Sequence, residues 1–158
     1  MQKITSVYFD MDGVLCDLYG VTNWQYRITH EDVTPYEVAA SLVAPQELYN
    51  LVSELQRNGI TCGVLSWGAR GSSRDFLKST RKAKKVWLAK NHGCIEWDSV
   101  RVMPYGREKS AYVRSNLEGA ILVDDSPINR KNWRGLCAID GGSSNWMKKV
   151  AAEVFSIC

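Results

Sequence analysis

An α/β fold on a central parallel sheet, closing as a three-layer α/β/α sandwich, is predicted by three features of this 158-residue chain. Short apolar runs alternate with stretches of helical period. Serine, proline and glycine mark the boundaries between them. No internal repeat, low-complexity tract or linker interrupts the alternation. Strand–helix alternation implies parallel strands joined by right-handed crossovers, with helices on both faces. The length suits a single domain over residues 1–158, large enough to bury roughly 70% of its unfolded surface.

Five runs read as strands: residues 4–9 (ITSVYF), 60–65 (ITCGVL), 100–103 (VRVM), 120–123 (AILV) and 136–139 (LCAI). Residues 46–58 form the first long helix, with Leu48, Leu51, Val52 and Leu55 on one face and Gly59 as its stop. Residues 72–91 form the second, opened by Ser72 with Asp75 three residues on, and stopping near Gly93. Ser126 followed by Pro127 is an N-cap with proline at the first helical position. A last helix spans about residues 145–155.

Hydrophobic residues make up 45% of the chain and charged residues 23%, which excludes disorder. No run approaches the ~20 apolar residues of a membrane span, and no secretory signal is read at the start, so a cytoplasmic location is expected. The net charge of +3 is too small to demand a nucleic-acid partner. Cys16, Cys62, Cys94, Cys137 and Cys158 show no C-x-x-C spacing. They read as reduced thiols rather than a disulfide framework or a zinc site.

In parallel sheets of this kind ligands bind at the carboxyl ends of the strands. The first run ends in Asp10-Met11-Asp12-Gly13, the second in Ser66, the fourth in Asp124-Asp125, and Lys109 follows the third. Four carboxylates meeting in one crevice repel one another. A hard divalent cation offsets that repulsion, and Mg²⁺ favours carboxylates, waters and a substrate phosphate.

FDMDGVL, a strand ending in Ser66, Lys109 before the fourth strand, and ILVDD resemble, in this order, the motifs of the haloacid dehalogenase-like (HAD) hydrolase superfamily. The segments FDMDGVLCDL and VDDSPIN are similar to its 5′(3′)-deoxyribonucleotidase branch, and AKKVWLAKNHG followed by a strand and PYGREKSAYV resembles bacterial and phage nucleotidase-like members in cadence. The resemblance implies a parallel sheet with the first strand central and a Mg²⁺-dependent phosphomonoesterase working through an aspartyl-phosphate. On it, Asp10 is the nucleophile and Asp12 the general acid and base. Ser66, Lys109 and Trp67 meet the substrate phosphoryl. Asp10, Asp12 through its backbone carbonyl, Asp124 and Asp125 hold the metal, with Asp124 the first choice among the last two.

Residues 16–45 stand where such folds carry a cap over the site, and this insert is small. Thr34-Pro35-Tyr36-Glu37 reads as a capping box opening a short helix. Tyr19, Trp24 and Tyr26 serve either as the insert's own core or, with Trp67, as a stacking wall for a flat group such as a nucleobase. The resemblance to the nucleotidase branch implies nucleoside monophosphates as the leading substrates, ahead of other small phosphate esters. Arg70 is a further phosphate partner. Arg74, Lys78, Arg81 and Lys85 form one basic stripe on the second long helix, opposite Phe76, Ala83 and Trp87. The stripe is either a solvated face or a track for nucleic-acid ends, which makes a 3′- or 5′-end phosphatase the alternative. Lys84 and Lys85 precede the third strand and fit the phosphate-neutralising role less well than Lys109. A module that accepts phosphate on Asp10 without turnover is the reading from another class. An oligomer is compatible with all of these.

Overall fold

The computed structural model describes residues 2–156. Cys158 lies outside them, and Cys16, Cys62, Cys94 and Cys137 are free thiols. Five strands, β1 (Ser6–Phe9), β2 (Thr61–Trp67), β3 (Ser99–Met103), β4 (Ala120–Asp124) and β5 (Cys137–Asp140), form one sheet. All pairings are parallel, in the order β3-β2-β1-β4-β5. The first strand is therefore central, and the chain reverses direction across the sheet between β1 and β4. The ends of β1, β2 and β4 consequently share one crevice.

The helices are α1 (Trp24–Thr29), α2 (Thr34–Val38), α3 (Pro45–Arg57), α4 (Arg74–His92), α5 (Pro127–Asn132) and α6 (Trp146–Phe155). Along each strand, alternate residues face opposite sides. On one side Val7, Phe9, Cys62, Val64, Ile121 and Val123 join the inner faces of α3, α4 and α6 in the main core. On the other, Tyr8, Leu65, Met103 and Leu122 meet Tyr112, Leu117 and Trp133 from short 3-10 turns and the end of α5. The sandwich expected from the sequence is present but lopsided. The crossover from β3 to β4 runs through two 3-10 turns, Lys109–Tyr112 and Leu117–Gly119, rather than a full helix.

Two helix starts differ from the sequence reading. The N-cap of α4 is Ser73, whose hydroxyl accepts from Phe76 N at 3.1 Å, while Ser72 turns back to donate to Ala69 O. A serine pair offers two registers, and the one that buries Phe76 prevails. Thr34 does not cap α2; it is the first helical residue, and Asp32 accepts from both its N–H and its hydroxyl. The carboxylate two residues upstream is the stronger acceptor.

Residues 16–45 hold a 3-10 turn, α1 and α2. Their entry and exit pair at Cys16 and Ser41, and Trp87 Nε1 of α4 donates to Ala39 O at 2.8 Å. The insert is thus pinned to α4 at its exit.

Candidate active site

Strand β1 delivers Asp10 as its first residue past the ladder, and Asp10 N still donates to Val123 O at 2.9 Å. The chain then turns through Gly13, at φ +82°, where glycine avoids the penalty a side chain would suffer. A Cβ there would lie 2.2 Å from Asp125 Oδ2, so Gly13 also makes room for that carboxylate.

Asp10, Asp124 and Asp125 each offer an oxygen within 4.8 Å of the others. Lys109 links two of them, donating to Asp10 Oδ1 at 2.8 Å and Asp124 Oδ2 at 2.6 Å. Burial alone would lower the Lys109 ammonium, but these two carboxylates more than reverse it and hold it charged. Asp124 is fully buried and further fixed by Ser126 N on Oδ1 and Asn129 Nδ2 on Oδ2. Arg130 braces the same turn by donating to the carbonyls of Asp124 and Asp125.

The carboxyls of Asp124 and Asp125 are both shifted upward. For Asp124 the causes are burial and the charge of Asp10, opposed by Lys109. Asp125 is pushed up to about 7 by burial, by the charges of Asp10 and Asp124, and by a hydrogen bond with Asp10.

Asp12 lies on the other flank with Ser66. Neither meets Lys109; both accept from Lys84 Nζ, at 2.7 Å each, and Lys84 also donates to Trp67 O at 2.8 Å. Since an ammonium can only donate, Ser66 Oγ accepts and its own O–H is left to donate to a bound anion. The Trp67 ring faces the Lys109 ammonium at 5.9 Å and lines the cavity beside Asp12. It sits 4.8 Å from the Tyr105 ring, and its Nε1 donates to Arg107 O. Sequence reasoning placed Lys84 second to Lys109, yet both reach the site, at different acids. The available signal was helical phase: Lys84 falls among Phe76, Thr80, Ala83 and Trp87 on the apolar stripe of α4, where a surface lysine does not belong. Asn129 and Arg130 were likewise missed; their positions in the helix capped by Ser126 point them back at its start.

A cavity of about 360 Å³ opens beside Asp12, lined by Tyr19, Trp24, Tyr36, Trp67, Arg70 and Tyr105 among others. Tyr19 and Trp24 pack edge to face at 5.1 Å, and burial and the nearby carboxylates push the Tyr19 phenol upward. Tyr26 is not part of this wall; it is exposed and stacks on His30. Arg74, Lys78 and Lys85 are exposed, while Arg81 donates to Val102 O.

Six formal charges meet here. Four carboxylates (Asp10, Asp12, Asp124, Asp125) against two lysines leave two negative charges, the balance that one divalent cation neutralises. The donors are all oxygen, which suits Mg²⁺.

No family model matches the chain. No curated protein matches it either. Among solved structures it is similar to D,D-heptose 1,7-bisphosphate phosphatase from Burkholderia thailandensis, at 13% identity with a TM-score of 0.53. The match covers 94% of this chain and 84% of that one. The likeness is one of fold, and it bears out the α/β sandwich on a parallel sheet, without bearing on the nucleotidase branch. No helix among the described residues is long and apolar enough to cross a membrane.

Proposed function

We propose that the chain is a Mg²⁺-dependent phosphomonoesterase acting through an aspartyl-phosphate on Asp10. One observation carries this reading: Asp10 stands at the end of the central strand, held by Lys109 and grouped with Asp124 and Asp125. The phosphatase named in the fold comparison is consistent with it.

Asp10, the Asp12 carbonyl, Asp124 and Asp125 would hold the ion. Bound there, Mg²⁺ supplies charge neutralisation for the transferring phosphoryl. Asp10 attacks phosphorus while Asp12 protonates the departing oxygen. Asp12 then takes a proton from the water that hydrolyses the phosphoenzyme. Ser66 donates its hydroxyl to the phosphoryl. Lys109 neutralises the charge shared by Asp10 and the phosphate through the N–H that its two carboxylate partners leave available. Most of the work is positioning and electrostatics, as phosphoryl transfer requires.

The cavity beside Asp12 favours a small ester with a flat group, a nucleoside monophosphate above others, because Tyr19, Trp24, Trp67 and Tyr105 offer stacking faces. The test is steady-state phosphate release from a generic aryl phosphate and from a panel of nucleoside and sugar phosphates, with and without Mg²⁺. Turnover that needs Mg²⁺ and vanishes in Asp10→Asn is expected. A long-lived phosphoenzyme releasing no phosphate would replace this reading with the non-catalytic phosphate-accepting module.

A further inference from the structure

Lys84 is a buried lysine to which the phosphatase reading assigns no task. It lies in the middle of the 19-residue helix α4, whose inner face packs on the main core. Its ammonium has three acceptors, Asp12 Oδ2, Ser66 Oγ and Trp67 O. The Tyr36 ring, from the insert, covers it at 4.9 Å. An ammonium carries three N–H groups and accepts nothing, so every donor is engaged and none remains for a substrate.

We propose that Lys84 is a positioning residue for Asp12, aligning its carboxyl for proton transfer to the leaving oxygen without touching the substrate. The proposal rests on the phosphatase reading. Lys84 is the hydrogen-bond partner of the Asp12 side chain; Asp12 Oδ1 is enclosed and has none among the described residues. Without the ammonium, nothing among the described side chains would fix that carboxyl against rotation. The step it serves balances simply. The bond from phosphorus to Asp10 forms, the bond from phosphorus to the leaving oxygen breaks, and the proton on Asp12 moves to that oxygen. Lys84 neither gains nor loses a proton. Because Tyr36 and Lys84 come from the insert and the core respectively, the general acid is set where the two meet.

The test compares kcat/KM for two esters of one alcohol class and one phenol class. An alkyl phosphate needs a proton on its departing oxygen; an aryl phosphate with an acidic phenol does not. kcat/KM reports only the steps through formation of the phosphoenzyme. Lys84→Met should lose at least about tenfold more on the alkyl ester than on the aryl ester, tracking Asp12→Asn. A purely structural role lowers both alike, and equal losses would overturn the assignment while leaving the phosphatase reading intact. An unmodified enzyme inactive on both esters ends the two together.

Lys84→Met strands the half-buried Asp12 carboxylate, so a second comparison guards against misfolding. Asp12→Asn with Lys84→Met removes both charges. Its alkyl-to-aryl ratio should equal that of Asp12→Asn alone. A ratio that worsens further shows Lys84 acting on the leaving group independently of Asp12 and overturns the proposal.

Discussion

Lys109 and Lys84 are both buried, both cationic and both bonded to the acids at the ends of the strands, yet their surroundings differ. Lys109 rides on the 3-10 turn Lys109–Tyr112, which covers the thinner side of the sheet. It bridges Asp10 and Asp124 and has one N–H left. Lys84 projects from a long helix on the thick side and has all three N–H groups occupied. The difference teaches that burial and charge do not by themselves mark a lysine as one that handles substrate. The count of unused donors separates a group that can meet a phosphate from one that can only hold its neighbours in place.

Removing the Lys109 charge breaks that comparison most severely. Lys109→Met leaves Asp10 and Asp124 buried without their cation, and a loss of about 3–5 kcal/mol is expected. Thermal melts should show a fall of roughly 2–4 °C per kcal/mol for a chain of this size. Mg²⁺ should recover part of it, and phosphatase turnover should fall to background. A melt unchanged from the parent protein would show that the pairing with Asp10 and Asp124 contributes nothing.

Gly13→Ala attacks the same acids from the turn. A side chain at φ +82°, with its Cβ 2.2 Å from Asp125 Oδ2, is expected to cost about 1–3 kcal/mol and to displace Asp125. The stabilisation given by Mg²⁺ should shrink with it, read as the difference between melts in Mg²⁺ and in chelator.

The pH dependence sharpens the Lys109 side. Asp125 keeps its proton up to about 7 in the folded chain, against 3.8 for an ordinary aspartate. Between these values the folded state binds more protons than the unfolded state. Its contribution is therefore fully present below about 4 and is lost as pH rises through about 7. Mg²⁺ must displace that proton, so its effect on the melting temperature should be larger at pH 8 than at pH 5. Asp125→Asn should flatten the difference.

The smallest effect belongs to the helix that carries Lys84. Ser73→Ala removes the cap of α4 and should cost about 1 kcal/mol, whereas Ser72→Ala should stay within about 0.5 kcal/mol. Equal losses in chemical denaturation would put the helix start elsewhere.

The strands were legible because parallel sheet buries both faces, so each wrote itself as a nearly unbroken apolar run; residues 120–123 lie wholly within β4. The acids were legible because chemistry at the strand ends leaves carboxylates abutting those runs, as Asp10 and Asp124-Asp125 do. Lys109 was found through its position between β3 and β4. Lys84 ranked below it, because the same helix carries exposed Arg74, Lys78, Lys82 and Lys85, and a charge facing inward is hidden among charges facing outward. The 3-10 turns were unreadable for a different reason. Residues 104–119 contain too few apolar positions to show any period, and tertiary contacts with Tyr8 and Leu65 decide their shape.

The thin covering of Tyr8, Leu65, Met103 and Leu122 carries a consequence for motion. A turn of four residues has little cooperative reserve, so its fraying should be a cheap, local opening that leaves the rest of the sheet intact. Each such opening uncovers apolar strand surface and withdraws Lys109 from Asp10 at the same moment. Amide deuteration should accordingly reach Ser110 and Ala111 well before Val123, with Mg²⁺ or a phosphate mimic slowing the first pair far more than the second.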